Sequence, residues 1–322
     1  MAEPSATAYD DSFRTLLNDC RELIIPVVNE AFGEHYTGRE KVIFAPNEQY
    51  LSQDGGVLDK RITDSNFVIV SSGGAVKRYH IECETDLDAS IVVRIFEYDA
   101  QIALQDGMRE GYTFTVSFPH SAVIALRYSD KTPDTMRVKV KTPGGETGYD
   151  VPIVKVQKYS LEEIFDRRLL FFLPFYIFSH EKQFQEYEDN AAKFKQLTDE
   201  YKLIQQKLDE LQKAGKITAY TKNALCAAIT HVLALIARNY QNVREGVEHI
   251  VKGKLIDYEA KDILRKGFND GLEKGREEGR EEGIIASIRS LMETLGFNAQ
   301  KAMDALKIPL AEQKQFSALI NA

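Results

Sequence analysis

The chain has 322 residues, 43% of them apolar and 28% charged, with a formal net charge of -8. That length supports a sizeable core in one large domain or two smaller ones, and the balance of apolar to charged residues excludes a disordered chain. The acidic balance argues against a whole-surface nucleic-acid binder while leaving room for a local basic patch.

The N-terminal stretch MAEPSATAYDD lacks the apolar segment of a signal peptide. Residues Ser12 to Phe32 follow as a predicted helix, because Phe13, Leu16, Leu17, Cys20, Leu23, Ile24, Val27, Val28 and Ala31 recur at helical spacing. Pro26 is expected to kink it and Gly33 to end it. A loop-rich stretch with NEQYLSQDGG leads to RITDSNFVIV, read as a strand. The turn SSGGA and a second strand, KRYHIECET, complete a predicted hairpin. Asp86 or Asp88 can cap a helix that carries Ile91, Ile95, Tyr98 and Ile102 along one face. YTFTVSFPHSAVIALRY, MRVKVKT and VPIVKVQKYS read as further strands, and LEEIFDRRLLFFLPFYIF as an amphipathic element that becomes fully buried. Its apolar run, Leu169 to Phe178, is about half as long as a bilayer span, so a cytoplasmic protein with no membrane segment is expected.

From Glu181 the composition becomes that of long helices. One charged helix ends near Gly215, and ALCAAITHVLALIARNY forms a second, more apolar one, which predicts a helical hairpin. The tail repeats glycine every four residues at Gly267, Gly271, Gly275, Gly279 and Gly283. Each glycine weakens a helix by about 1 kcal/mol. The repeat is therefore either a flexible charged linker or a seam for close packing with a helix of a second copy, and the latter predicts a homo-oligomer. A small helix pair is expected around Gly296. The order of elements makes the first half mixed α/β and the second half all-α, with divisions at 10–180, 181–266 and 267–322.

The chemistry centres on KRYHIECETD. Tyr79, Ile81 and Cys83 alternate with His80, Glu82 and Glu84. If the turn before this strand centres near Gly73, Asp64 falls opposite Glu82, and three carboxylates share one face. Like charges so placed destabilise a sheet, and a divalent cation relieves them. The bland alternative is a solvated face. His80 shares that face; a solvated or hydrogen-bonded histidine is favoured there over a general base. Cys20, Cys83 and Cys226 are too scattered for a zinc site or a disulfide framework. No Walker-type loop and no G-x-S-x-G elbow is present. Arg137, Lys139 and Lys141 form a basic strip, read as a solvated strand face ahead of a phosphate contact, and Arg167 and Arg168 raise the same choice.

The segments TDSNFVIV, YHIECETD, RIFEYDAQIAL and GREEGREEG together resemble the PD-(D/E)XK nuclease superfamily, most closely its Rpn-type recombination-promoting nucleases and transposases. The resemblance implies a restriction-endonuclease-like core and a metal-dependent endonuclease acting on DNA, with Mg²⁺ or Mn²⁺ as cofactor. Carried over, the metal ligands are Asp64 and Glu82, the lysine position is occupied by Glu84, and the first-helix glutamate is Glu30, with Glu22 and Glu34 as competitors. Arg94 and Tyr98 match the helix after the motif, in phosphate contact or in packing. The glutamate at position 84 departs from the pattern. It leaves open a catalytically decayed core that serves as an interaction protein. A strand-transferring transposase is a third possibility, without a recognisable DNA-binding domain to support it.

Overall fold

The computed structural model describes residues 7–44, 48–52, 58–62, 65–71 and 73–252, and in the C-terminal segment 287–288, 291–292, 297–306, 308 and 313. Residues Met1–Gly253 form one compact unit and Lys254–Ala322 another. The first unit is an α/β structure whose six-stranded mixed sheet is flanked by helices. The strands are β1 (Lys41–Phe44), β4 (Asn66–Val70), β5 (Val76–Glu84), β8 (His120–Ala125), β9 (Thr135–Thr142) and β10 (Gly145–Lys155), in the order β1-β4-β5-β8-β10-β9. β5 runs antiparallel to β4 and parallel to β8, and helix α3 (Ile91–Gln105) makes the crossover that a parallel pair requires. Ala122, Val123, Ile124 and Ala125 are all buried, the pattern of a strand covered on both faces.

Alternation along β5 sorts its side chains between two cores. Tyr79, Ile81 and Cys83 join the large cluster that includes α1 (Thr7–Asp19) and α2 (Ile24–Phe32). Across the sheet, Ile91 and Ile95 of α3 pack with Val123, Val138 and Val151 in a smaller cluster. His80, Glu82 and Glu84 therefore lie on the α3 side.

Several boundaries differ from those the sequence predicts. The first helix is interrupted at Cys20, where the backbone leaves helical geometry (φ -138°, ψ 62°) and a single 3₁₀ turn follows. Pro26 sits in the first turn of α2, where its missing N–H costs nothing, so the break precedes it. Gly33 does end the helix, in the left-handed region at φ 65°. The stretch expected as loop carries a separate two-stranded ladder, β2 (Glu48–Ser52) with β3 (Leu58–Ile62), which takes the first part of the predicted strand RITDSNFVIV. The strand expected within YTFTVSFPHSAVIALRY is divided between β8 and a small hairpin of β6 (Met108–Glu110) and β7 (Thr113–Thr115).

The apolar run from Leu169 lies in a long 3₁₀ segment, Leu170–Gln183, that contains Pro174 and is buried through most of its length. It follows α4 (Leu161–Asp166), which Ser160 and Glu163 cap reciprocally. The charged helix expected from Glu181 to Gly215 is two helices, α5 (Phe184–Asp189) and α6 (Ala191–Lys213). Asn190 separates them, its side chain accepting from the backbone N–H groups of Ala192 and Lys193. Helix α7 (Ala219–Ile236) packs on the 3₁₀ segment and α1, and α8 (Gln241–Lys252) on α6 and α7. Among the described residues α7 is the one helix long and apolar enough to cross a membrane; Leu225, Cys226, Ile229, Val232 and Leu233 bury it in the same core as the sheet. In the second unit, Ile288, Ala302, Met303 and Ile308 form a small cluster around α9 (Ala299–Ala305), which Asn298 caps. The glycine repeat lies outside the described residues.

Candidate functional site

The hairpin that presents the site has a defined register. Val70 pairs with Val76 and Asn66 with His80, so the connection from Ser71 to Ala75 centres on Gly73, the register the carboxylate argument needs. Ser71 N–H donates to the Ala75 carbonyl at 2.9 Å, and Gly74 takes a left-handed conformation (φ 79°) that favours glycine. Ser65 locks the end of the ladder: its hydroxyl donates to the Ile81 carbonyl at 2.7 Å and accepts from the Ile81 N–H at 3.0 Å. Asp64 lies outside the described residues.

His80 is the hydrogen-bonded histidine and not the solvated one. It is fully buried, with Nδ1 2.7 Å from Asp99 Oδ1 and Nε2 2.8 Å from Glu82 Oε1. With both acids ionised, each ring nitrogen must donate and the ring is an imidazolium. Burial works against that charge, but the bonds to Asp99 and Glu82 outweigh it, and the pKa is pushed up to about 9. Asp99 is in turn saturated: Ser121 Oγ donates to Oδ1 and Tyr149 OH to Oδ2, each at 2.6 Å. The Tyr98 ring, itself buried, packs edge-on against His80 at 5.8 Å.

Glu82 is 4% exposed, and Glu84, one alternation further along β5, is partly open. Arg94 on α3 pairs with Glu84, and its pKa is raised by Glu84 and Glu82 although burial opposes the charge. The structure thus brings together Glu82, Glu84, Arg94 and Tyr98. It adds Asp99, Ser121 and Tyr149, which sequence reasoning missed. Asp99 left a detectable trace: it falls among Ile91, Ile95 and Ile102 on the apolar face of α3, where an acidic side chain needs a partner.

Glu30 is placed elsewhere. α2 packs on the other face of the sheet, and Glu30 Oε1 accepts from Tyr159 OH and from Arg167 Nη1, both at 2.9 Å. It lines a cavity of about 300 Å³ with Lys155, Lys158 and Arg167. The competitors are also engaged, Glu34 with Lys77 at 2.6 Å and Glu22 with Thr221 at 3.2 Å. Of the basic strip, Arg137 pairs with Asp150 at 2.7 Å and Lys139 with Glu146 at 3.7 Å, so these strand cations are neutralised by the neighbouring strand.

Among the described residues no group of three or more His, Cys, Asp or Glu side chains is arranged to hold a metal ion. Glu82 and Glu84 nevertheless offer oxygen donors on one strand face, the chemistry of a hard cation such as Mg²⁺ or Mn²⁺. A ligating carboxylate is normally oriented by hydrogen-bonded neighbours, and the buried chain His80–Asp99–Ser121/Tyr149 does this for Glu82. Compared with known proteins, the chain matches no family model, no curated protein and no solved structure.

Proposed function

We propose that the chain is a divalent-metal-dependent DNA endonuclease on a restriction-endonuclease-like core, similar to the Rpn-type nucleases, with Asp64 and Glu82 as metal ligands. The observation that supports this best is the setting of Glu82: a nearly buried carboxylate on a central strand, held by a buried imidazolium, one alternation from the partly open Glu84–Arg94 pair. Phosphodiester hydrolysis needs charge stabilisation on the phosphoryl oxygens and a deprotonated water. A bound Mg²⁺ or Mn²⁺ supplies both. The chain's own residues do the positioning. His80 fixes the rotamer of Glu82 and balances its charge. Arg94 restrains Glu84, whose carboxylate stands where the superfamily has lysine and would accept a hydrogen bond from an attacking water.

A second reading has its own support. His80 and Arg94 already counter the charges of Glu82 and Glu84, as in a decayed core kept for interaction. One experiment separates the two: incubation with supercoiled plasmid and Mg²⁺ or Mn²⁺, alongside calorimetric metal titration. Wild type is expected to nick or linearise the plasmid, and Asp64→Ala and Glu82→Ala to lose that activity while still folding, Glu82→Ala with a lowered melting temperature because it leaves buried His80 with one partner fewer. Neither cleavage nor metal-binding heat in the wild type leaves the interaction protein as the reading.

A further inference from the structure

The loop between β5 and α3, residues 85–90, joins the two halves of the carboxylate site. Glu84 precedes it. Arg94 follows within the first turn of α3, its N–H donating to the Ser90 carbonyl at 3.1 Å. Whatever fixes this loop therefore helps to fix Glu84 against Arg94. Backbone pairing reaches the start of the loop. The parallel ladder of β5 and β8 ends at Glu84 and Ala125, and two further bonds continue it: Leu126 N–H donates to the Glu84 carbonyl at 2.8 Å and Arg127 N–H to the Thr85 carbonyl at 3.1 Å. Beyond that point side chains take over. The bond from Ser90 N–H to Asp88 Oδ1 stays inside the loop, and among the described residues the buried Thr85 hydroxyl has no hydrogen-bond partner. Leu87 packs against the small cluster of Ile91, Ile95 and Val123 and anchors the inner side. The outer side meets Arg127.

The Arg127 guanidinium engages two carboxylates at once. Nε and Nη2 donate to Glu181 Oε2 and Oε1, both at 2.6 Å, and Nη1 donates to Asp86 Oδ2 at 2.9 Å. The group lies over the Phe178 ring, 5.2 Å from its centroid. Phe178 and Glu181 both belong to the 3₁₀ segment. A bidentate fork fixes orientation as well as distance, so Arg127 presents its remaining donor to the loop in a set direction. The pair with Asp86 is an open one, the two side chains being 32% and 73% exposed. Open pairs add little to stability, so the consequence of this one is geometric.

We propose that Arg127 is a positioning residue of the carboxylate site: anchored on the 3₁₀ segment, it holds the 85–90 loop through Asp86 and so sets Glu84 and Arg94 relative to Glu82. Glu82 itself lies inside the ladder, opposite Val123, and is held by His80, so its place does not depend on the loop. Misplacing Glu84 and Arg94 should therefore slow turnover and leave metal affinity intact. That catalytic consequence rests on the nuclease reading, whereas the hold on the loop does not.

The test uses the full chain with Arg127→Lys, which keeps the charge and loses the fork, and with Asp86→Ala. Hydrogen exchange should quicken at residues 85–94 in both variants and stay unchanged in β4 and in β5 up to Glu82. In plasmid cleavage with Mn²⁺, each variant should lower kcat about tenfold, with KM and calorimetric metal affinity near their wild-type values. The double variant should lose no more than either single one, because both break the same contact. Unchanged exchange at 85–94 overturns the proposal whatever the cleavage shows. So does faster exchange with kcat retained, and so does exchange that quickens throughout the first unit, which is general destabilisation. A wild type that does not cleave removes the nuclease reading, and the exchange at 85–94 then upholds or overturns the hold on the loop by itself.

Discussion

A histidine with a carboxylate on each ring nitrogen is satisfied only as the cation, and that requirement makes His80 the residue most open to test. Removing one member of a buried charged network leaves the others uncompensated, typically at about 3–5 kcal/mol. His80→Gln should therefore lower stability by about that amount in urea unfolding. Adding Asp99→Asn should restore part of the loss, because the surplus buried charge is then reduced. The raised pKa has a defined sign. Its contribution is fully present below the unfolded value of 6.5 and is lost as pH rises through about 9. A shift of that size is worth on the order of 3 kcal/mol. The wild-type melting temperature should thus fall more steeply than that of His80→Gln between those pH values. Equal slopes would mean that the ring is neutral in the fold. Glu84 sits in a more open pair, so Glu84→Gln should change stability by less than about 1 kcal/mol. Under the proposed function it should also slow plasmid cleavage less than Glu82→Ala, since an amide oxygen still accepts from water. Equal loss in the two variants would make Glu84 an essential ligand or base.

Strand pairing controls the far side of the same network. Gly148 of β10 faces Lys139 of β9, and a Cβ at Gly148 would lie 2.3 Å from the Val138 carbonyl oxygen. Backbone cannot move aside as a side-chain tip can, so Gly148→Ala should destabilise by about 1–3 kcal/mol. Its neighbour Tyr149 carries the hydroxyl that closes Asp99, and the effect should reach the His80 network. Gly144→Ala in the adjoining turn meets nothing nearer than Thr142 Oγ1 at 3.9 Å and should be close to neutral in the same melt. Equal losses would place the cause in turn entropy and not in the close approach. Elements were legible where one local pattern decides them. The alternation of β5, the face of α3 and the stop at Gly33 follow from periodicity and from a single φ. The break at Asn190 was missed because helical spacing continues across it; the cap that ends one helix and starts the next is a single side chain. The network through His80 and Asp99 draws on α3, β5, β8 and β10, and no local pattern encodes such an encounter. Glu30 illustrates the same limit: its place in the first helix was readable, its commitment to Tyr159 and Arg167 was not.

At the scale of the whole molecule, the distribution of buried side chains sets the unit of folding. The main cluster runs from Tyr9 to Val251 and includes helices α6, α7 and α8 together with the sheet, so the change of composition near Glu181 marks no division of the core. The cluster around Ile288, Ala302, Met303 and Ile308 shares no member with it. Stability scales with the apolar surface a core buries, and a cluster that small contributes little of its own. A chain ending at Gly253 should therefore keep a single cooperative transition, with a melting temperature within a few degrees of the full chain. Loss of cooperativity would mean that the C-terminal segment completes the core. The same truncation tests the self-association that the glycine repeat predicts, because it removes Gly267 to Gly283. The full chain should sediment as an oligomer and the shortened chain at the single-chain mass, and an equal state of association in the two would rule out the tail as the contact.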